Sequence, residues 1–305
     1  MKKTILVTGC NGFIGKAFIQ RYHEKYHIIG VDMTASARNS FCDTEYLADI
    51  CDAEKIKEIF SNHQIDVVLH TAAEKSLIKC EEEQERSFAI NYMASVRFLE
   101  LAEQVNSKFI FISSDQVFDG SDSMYPENAP VHAINYYGKL KIMMEHQLLQ
   151  HPHAAICRTA LVFGDIPDEQ KSYFDEICYQ DTLPVQGYIV QHTRFCLEQN
   201  RKLILPDDEF VSPTHVMLLA EQIDSVISHD VSGILHCCGK DRISRYEMGM
   251  CIASHYQLMG NKDCIQKQGQ QNPLRPKDVS LECSHTEQLL QMKFMSFAEM
   301  LKTYM

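Results

Sequence analysis

The sequence predicts an α/β fold, a doubly wound parallel sheet with a smaller C-terminal α/β lobe, and three observations predict it. Short apolar runs alternate with segments of helical apolar spacing through residues 4–159, the pattern of a parallel sheet covered by helices on both faces. A glycine-rich turn, Gly9-Cys10-Asn11-Gly12-Phe13-Ile14-Gly15, stands where the first apolar run gives way to the first helical segment. Further on, Tyr137 and Lys141 stand four apart on another helical segment, after a run ending Ile112-Ser113-Ser114-Asp115.

Each element follows from its pattern. Thr4–Thr8 reads as a buried strand, and Phe13, Ile14, Ala17 and Phe18 mark one face of the helix after it. His27–Asp32 is the next strand, residues 45–48 a short one, and residues 53–61 a helix before the strand Val67–His70. Residues 83–105 carry apolar residues at helical spacing; 109–113 is a strand, 137–149 a helix and Ala154–Thr159 a strand. The second half is less regular. Pro213 opens a helix, since its missing N–H costs nothing in a first turn, and a strand at 233–237 precedes a helix at 244–256. Residues 1–163 therefore form an α/β core and residues 164–305 mainly a smaller lobe, with about 213–240 returning to the core.

Composition narrows the function. The net charge of −12 argues against a nucleic-acid partner, which needs concentrated Lys and Arg. The apolar start Ile5-Leu6-Val7 is too short for a signal peptide, and no run approaches a membrane span. The 12 cysteines contain no Cys-x-x-Cys and are scattered through apolar segments, which reads as buried free thiols in a cytoplasmic protein. His151-Pro152-His153 has no partner at a metal spacing and reads as a surface turn, and Glu81-Glu82-Glu83 as the solvated start of a helix. No metal ligands are identified.

The glycine turn has a physical use. Between a buried strand and a helix it lets backbone approach a pyrophosphate, while the helix N-terminus supplies unpaired N–H groups and partial positive charge. Gly9, Asn11, Gly12, Phe13, Ile14 and Gly15 are thus candidates for holding a dinucleotide in a Rossmann-type site, with an ordinary tight turn as the competing account. Asp32, ending the second strand, suits the adenosine ribose. A carboxylate there accepts from both ribose hydroxyls and repels a 2′-phosphate, favouring NAD(H) over NADP(H), although Arg38 downstream is able to offset that repulsion. Tyr137 and Lys141 share a helix face. A free Tyr, with a pKa near ~10, is a poor acid at neutral pH, and a neighbouring ammonium lowers that value. The pair therefore suits proton transfer to a carbonyl, with Lys141 also holding the nicotinamide ribose.

The motif set then becomes specific. Ser113-Ser114-Asp115-Gln116-Val117-Phe118-Asp119-Gly120, together with the glycine turn, His70-Thr71-Ala72-Ala73, Tyr137-Gly138-Lys139-Leu140-Lys141 and Leu274-Arg275-Pro276, resembles the extended short-chain dehydrogenase/reductase superfamily. Within it, the chain resembles the dTDP-4-dehydrorhamnose reductase family, from residue 3 to about residue 301. The resemblance implies an NAD(P)H-dependent reductase of a nucleotide-activated 4-keto-6-deoxy sugar. It makes Ser114 the hydroxyl that polarises the carbonyl, Tyr137 the proton donor and Lys141 its electrostatic partner. It places Thr71, Ala72 and Ala73 along the cofactor and Asp49 and Ile50 near the adenine. Asp115 would bond the sugar, Gln116 and Leu161 would touch substrate, and Arg275 would meet the diphosphate. Three positions depart from the family: Gln116 replaces a Tyr, Leu161 an aromatic, and Ile78 an acidic residue. Two other readings stay open: a non-catalytic regulatory subunit similar to the methionine adenosyltransferase β subunit, and a nucleotide-sugar epimerase or dehydratase. A homodimer also stays open.

Overall fold

The computed structural model describes residues 2–35, 41–165, 187–269 and 272–305; Arg38 lies outside them. The strands β1 (Thr4–Thr8), β2 (His27–Asp32), β3 (Thr44–Leu47), β4 (Val67–His70), β5 (Lys108–Ser114) and β6 (Ala154–Thr159) follow one another through the first half. They lie in the order β6-β5-β4-β1-β2-β3, and the strand Gly233–His236 joins beside β6 as the seventh. Every neighbour is parallel. The chain order reverses between β1 and β4, so a crevice opens there beyond the carboxyl ends of both strands.

Both faces of this sheet are buried, and the pleat divides the side chains between them. Ile5 and Val7 join Phe18 and Ile19 of α1 (Phe13–Tyr22) and Leu218, Leu219 and Ile223 of the helix Val216–Ser228 in one core. Leu6 and Val68 point the other way, onto α2 (Ala53–Asn62), α5 (Ala94–Gln104) and α6 (Tyr136–Leu148). A continuous apolar run is what a strand covered on both sides requires.

The helical pattern of residues 83–105 resolves into α4 (Gln84–Phe88), a π-helical turn Ala89–Met93, and α5. Two expectations are corrected. The acidic run is only in part the start of a helix: Glu83 stands exposed at the N-cap of α4, but Glu81 and Glu82 end α3 (Leu77–Glu82), and Glu81 turns inward, accepting the Tyr136 N–H at 2.6 Å. Pro213 opens no helix either. Thr214–His215 continues as a two-residue strand on Val162–Phe163, and the helix begins at Val216. In the second half, Ser244 and Glu247 form a reciprocal capping box on the helix Arg245–His255, at 3.2 and 2.8 Å.

A charged pair lies inside the core. Arg158 of β6 binds Glu145 of α6 at 2.7 Å, both side chains 2% exposed. It also donates to the Glu127 carbonyl at 3.1 Å, and Glu145 accepts from Ser113. All eleven cysteines among the described residues are free thiols, seven of them buried. No helix among the described residues is long and apolar enough to cross a membrane.

Removing one member of a buried ion pair leaves the other charged without a partner. Glu145→Ala should therefore lower unfolding free energy by about 3–5 kcal/mol, read from urea denaturation.

Candidate active site

The crevice beyond β1 and β4 is the mouth of a cleft of about 1160 Å³. That volume exceeds an ordinary small-ligand pocket and suits a dinucleotide with a second molecule. At one end lies the glycine turn. Gly9 has φ +68°, and a Cβ on Gly15 would sit 2.3 Å from the Gly9 carbonyl oxygen. Only residues without side chains allow β1 to fold this tightly into α1. Gly12 caps α1 without a capping side chain, so the first-turn N–H groups stay available to an anion. Gly9, Asn11, Gly12, Phe13 and Ile14 line the cleft; Gly15 lies beneath the turn.

Asp32 and Asn11 are locked together beside this turn. Asp32 Oδ1 accepts from the Thr34 N–H and Oγ1 at 2.9 and 2.8 Å, and Oδ2 from the Asn11 N–H at 3.1 Å. The carboxylate keeps further lone pairs for a ligand. Asp49 and Ile50 line the cleft as well, as do Thr71, Ala72 and Ala73 after β4. Thr71 Oγ1 donates to the Thr8 carbonyl at 2.7 Å, tying the β4 end to the β1 end.

Ser114, Tyr137 and Lys141 line the same cleft. Ser114 Oγ donates to Asp115 Oδ1 at 2.9 Å and accepts the Gln116 N–H at 3.2 Å. Gly138 permits the approach of α6, because a Cβ there would lie 2.1 Å from the Gln116 carbonyl oxygen. Asn135 caps α6 by accepting the Gly138 N–H at 2.7 Å, while its amide donates to Gln116 Oε1 at 3.1 Å and the Leu274 carbonyl at 2.9 Å. Lys141 Nζ donates to the Ile112 carbonyl at 2.7 Å, over the Phe111 ring at 4.3 Å and 5.5 Å from the Tyr137 ring centre. Burial pulls this ammonium down to about 8, against the opposing charges of Glu145 and Cys80.

The expected lowering of the Tyr137 pKa is not what this geometry produces. Burial first, and then the Asp115 charge, push the phenol above its ordinary value, with Ser114 opposing. Lys141 spends its short contact on a backbone carbonyl instead. Burial likewise raises the Asp115 carboxyl, opposed by Ser114, Gln116, Arg275 and Arg245.

Asp115, Gln116, Leu161 and Arg275 all reach the cleft. Gln116 is largely committed to the protein, donating to Asp115 at 3.2 Å besides meeting Asn135. Ile78 is 55% exposed and lies outside the lining. Sequence reasoning missed Arg245, which lines the cleft and is held by Glu209 at 3.1 Å; its capping box marks the helix start but not where its first side chain points. Tyr188 was missed as well. It lines the cleft edge-on to Phe13 at 5.8 Å, an aromatic wall supplied from a different segment than Gln116 and Leu161. No His, Cys, Asp and Glu group among the described residues could hold a metal ion.

Parallel strands in this order, an uncapped glycine turn and a Ser, Tyr and Lys in one cleft define an extended short-chain dehydrogenase/reductase. The chain belongs to the family described as the RmlD substrate binding domain, whose model matches residues 1–305. Methionine adenosyltransferase 2 subunit beta of Xenopus laevis is 25% identical over 299 residues, covering 93% of this chain and 81% of the relative. A probable low-salt glycan biosynthesis reductase of Haloferax volcanii is 26% identical over 245 residues, 80% of this chain and 77% of that one. Among solved structures, dTDP-4-dehydrorhamnose reductase of Bacillus anthracis in complex with NADP superposes with a TM-score of 0.83 at 21% identity, covering 100% of this chain and 98% of that one.

A lysine whose folded pKa lies below its unfolded value binds fewer protons in the native state. Stability should then rise with pH from about 8 toward the unfolded value near ~10.4. Lys141→Met should lose that rise and, at neutral pH, should be more stable than the parent by about 1–3 kcal/mol. Denaturant midpoints measured across pH check both.

Proposed function

We propose that this chain is a nicotinamide-dependent reductase of the keto group in a nucleotide-linked 4-keto-6-deoxy sugar. One observation carries the reading: Ser114, Tyr137 and Lys141 share a cleft with the uncapped N-terminus of α1. The backbone of Gly12, Phe13 and Ile14 would hold the pyrophosphate, and Asp32 the adenosine ribose. When bound, the reduced nicotinamide supplies hydride. Ser114 turns its hydroxyl from Asp115 to the carbonyl oxygen. The raised Tyr137 phenol keeps its proton at neutral pH and delivers it to that oxygen. Below about pH 8 Lys141 is an ammonium, and its charge offsets the phenolate left behind. Arg275, with Arg245 beside it, faces the diphosphate, since a guanidinium makes paired charge-assisted bonds to phosphate oxygens. In this reading residues 1–163 are the cofactor core and 164–305 mainly the substrate lobe.

A second reading has its own support. The relatives named methionine adenosyltransferase 2 subunit beta match across more than nine-tenths of the chain, which favours a binder that regulates a partner enzyme. Oxidation of NADH or NADPH over a panel of nucleotide-linked ketosugars separates the two. Stoichiometric turnover supports the reductase; no turnover with any member, alongside a stable complex with a synthetase, supports the binder.

Tyr137→Phe should cut reduction by roughly 10²-fold or more, the scale of a lost general acid, with NADH affinity unchanged. The same assay run against pH should show kcat/KM falling above about 8 as Lys141 loses its proton. Near-parental rates for the Phe variant would sink the mechanism. Asp32→Ser should weaken NADH and improve NADPH relative to it. A parent chain with strong NADPH preference would remove Asp32 as the discriminator.

A further inference from the structure

Two sulfurs meet over the middle of β2, in a space that has no side chain of its own. Gly30 lies inside β2, paired with Val7 of β1 on one side and Glu45 of β3 on the other. A glycine within a strand weakens it and often marks a close approach by another part of the chain. Here thiols make the approach. A Cβ on Gly30 would lie 2.7 Å from Cys42 Sγ and 2.8 Å from Cys10 Sγ. Cys10 belongs to the glycine turn and is 2% exposed, its side chain in the core beneath α1. Cys42 stands just ahead of β3 and is half-buried, packed against that same core.

The two thiols are unequal. They share a hydrogen bond, and that bond with Cys42, then burial, then the charge of an ionised Cys42, push the Cys10 thiol well above its ordinary value. Asp32 and Glu45 act in the same sense. Cys10 thus keeps its proton, and Cys42, the more exposed of the two, is the sulfur that a small reagent meets first. An oxidised Cys42 sulfur is no longer an anion, so the charge that helped to hold the Cys10 proton disappears at that moment.

We propose that Cys10 and Cys42 form a peroxide-responsive dithiol, which closes to a disulfide tying the glycine turn to the segment that enters β3. With hydrogen peroxide as oxidant, the Cys42 thiolate attacks one peroxide oxygen and the O–O bond breaks. The departing hydroxide takes up a proton and leaves as water. The Cys10 sulfur then attacks the Cys42 sulfenic acid, and the Cys10 proton leaves with the sulfenic hydroxyl as a second water. The thiol pair loses two electrons, and one peroxide is reduced to two waters. A bond between the sulfurs is shorter than their contact, so it draws Cys10 toward Cys42. The flanking Gly9 and Asn11 both line the cleft. Closure should therefore weaken dinucleotide binding, a consequence that rests on the cofactor reading given above.

Peroxide treatment of the whole chain, followed by alkylation and non-reducing peptide mapping, tests the bond. The expected product is a Cys10–Cys42 linked peptide lighter by two hydrogens, with fragmentation separating Cys42 from the half-buried Cys51. Cys42→Ser should abolish the link and Cys51→Ser should leave it. A parent chain in which Cys42 goes on to sulfinic acid, stays reduced, or bonds elsewhere overturns the proposal without any variant. In fluorescence titrations, the oxidised chain should bind NADH roughly 3- to 10-fold more weakly, the scale of one lost hydrogen bond. Dithiothreitol should restore the affinity. Unchanged affinity with the link in place overturns its coupling to the cleft. A reduced chain that binds neither NADH nor NADPH would instead remove the cofactor reading, while the linked peptide still decides the disulfide.

Discussion

The first turn of α6 is the constraint on which the candidate site depends. Four separate parts of the chain meet there through short contacts. Glu81 of α3 takes the Tyr136 N–H, Asn135 takes the Gly138 N–H, and the Asn135 amide reaches both Gln116 and the Leu274 carbonyl. Beneath it, the bare Cα of Gly138 rides against the Gln116 carbonyl. With the helix this close to β5, Lys141 reaches the Ile112 carbonyl and Tyr137 stands over Ser114 and Asp115. Arg275 comes along because its neighbour Leu274 is one of the four attachments. A cleft-lining residue near the end of the chain is thus registered to α6 through the bond from the Asn135 amide to the Leu274 carbonyl.

The electrostatics of this turn explain why its groups depart from solution behaviour. Burial acts in opposite senses on an acid and on a base: it raises Tyr137 and Asp115 and lowers Lys141. All three shifts favour the uncharged forms, as burial away from water requires. A group that keeps its proton in the resting state is well placed to part with it only when new negative charge develops nearby.

The sheet was legible because a strand buried on both faces must be apolar throughout, and four of the strands begin and end where the apolar runs do. The glycine turn and the Tyr and Lys spacing were legible because each residue type is demanded locally, by backbone path or by helix periodicity. Other features depend on contacts between residues far apart in the chain. Glu81 in an acidic run looks solvated until α6 arrives 55 residues later. Pro213 fits a first helical turn by itself, but pairing with Val162–Phe163 keeps the next two residues extended. Arg245 and Tyr188 reach the cleft by tertiary packing, and no local pattern shows which way a single side chain will face. The direction of the Tyr137 shift is hidden from the sequence for a related reason: spacing places Lys141 nearby but does not show that its ammonium bonds a carbonyl.

The buried thiols have a consequence of their own. Cys237 and Cys238 are fully buried, and the surrounding thiols and the loss of water keep both well above the ordinary range; Cys196 is pushed up to about 11. The thiolate is the nucleophile that attacks alkylating and oxidising reagents, and these sulfurs offer almost none while the core is closed. A chain this rich in cysteine therefore carries an internal clock. The pace at which those positions become labelled counts the moments when the interior opens, and the order in which they react follows the order in which its layers part.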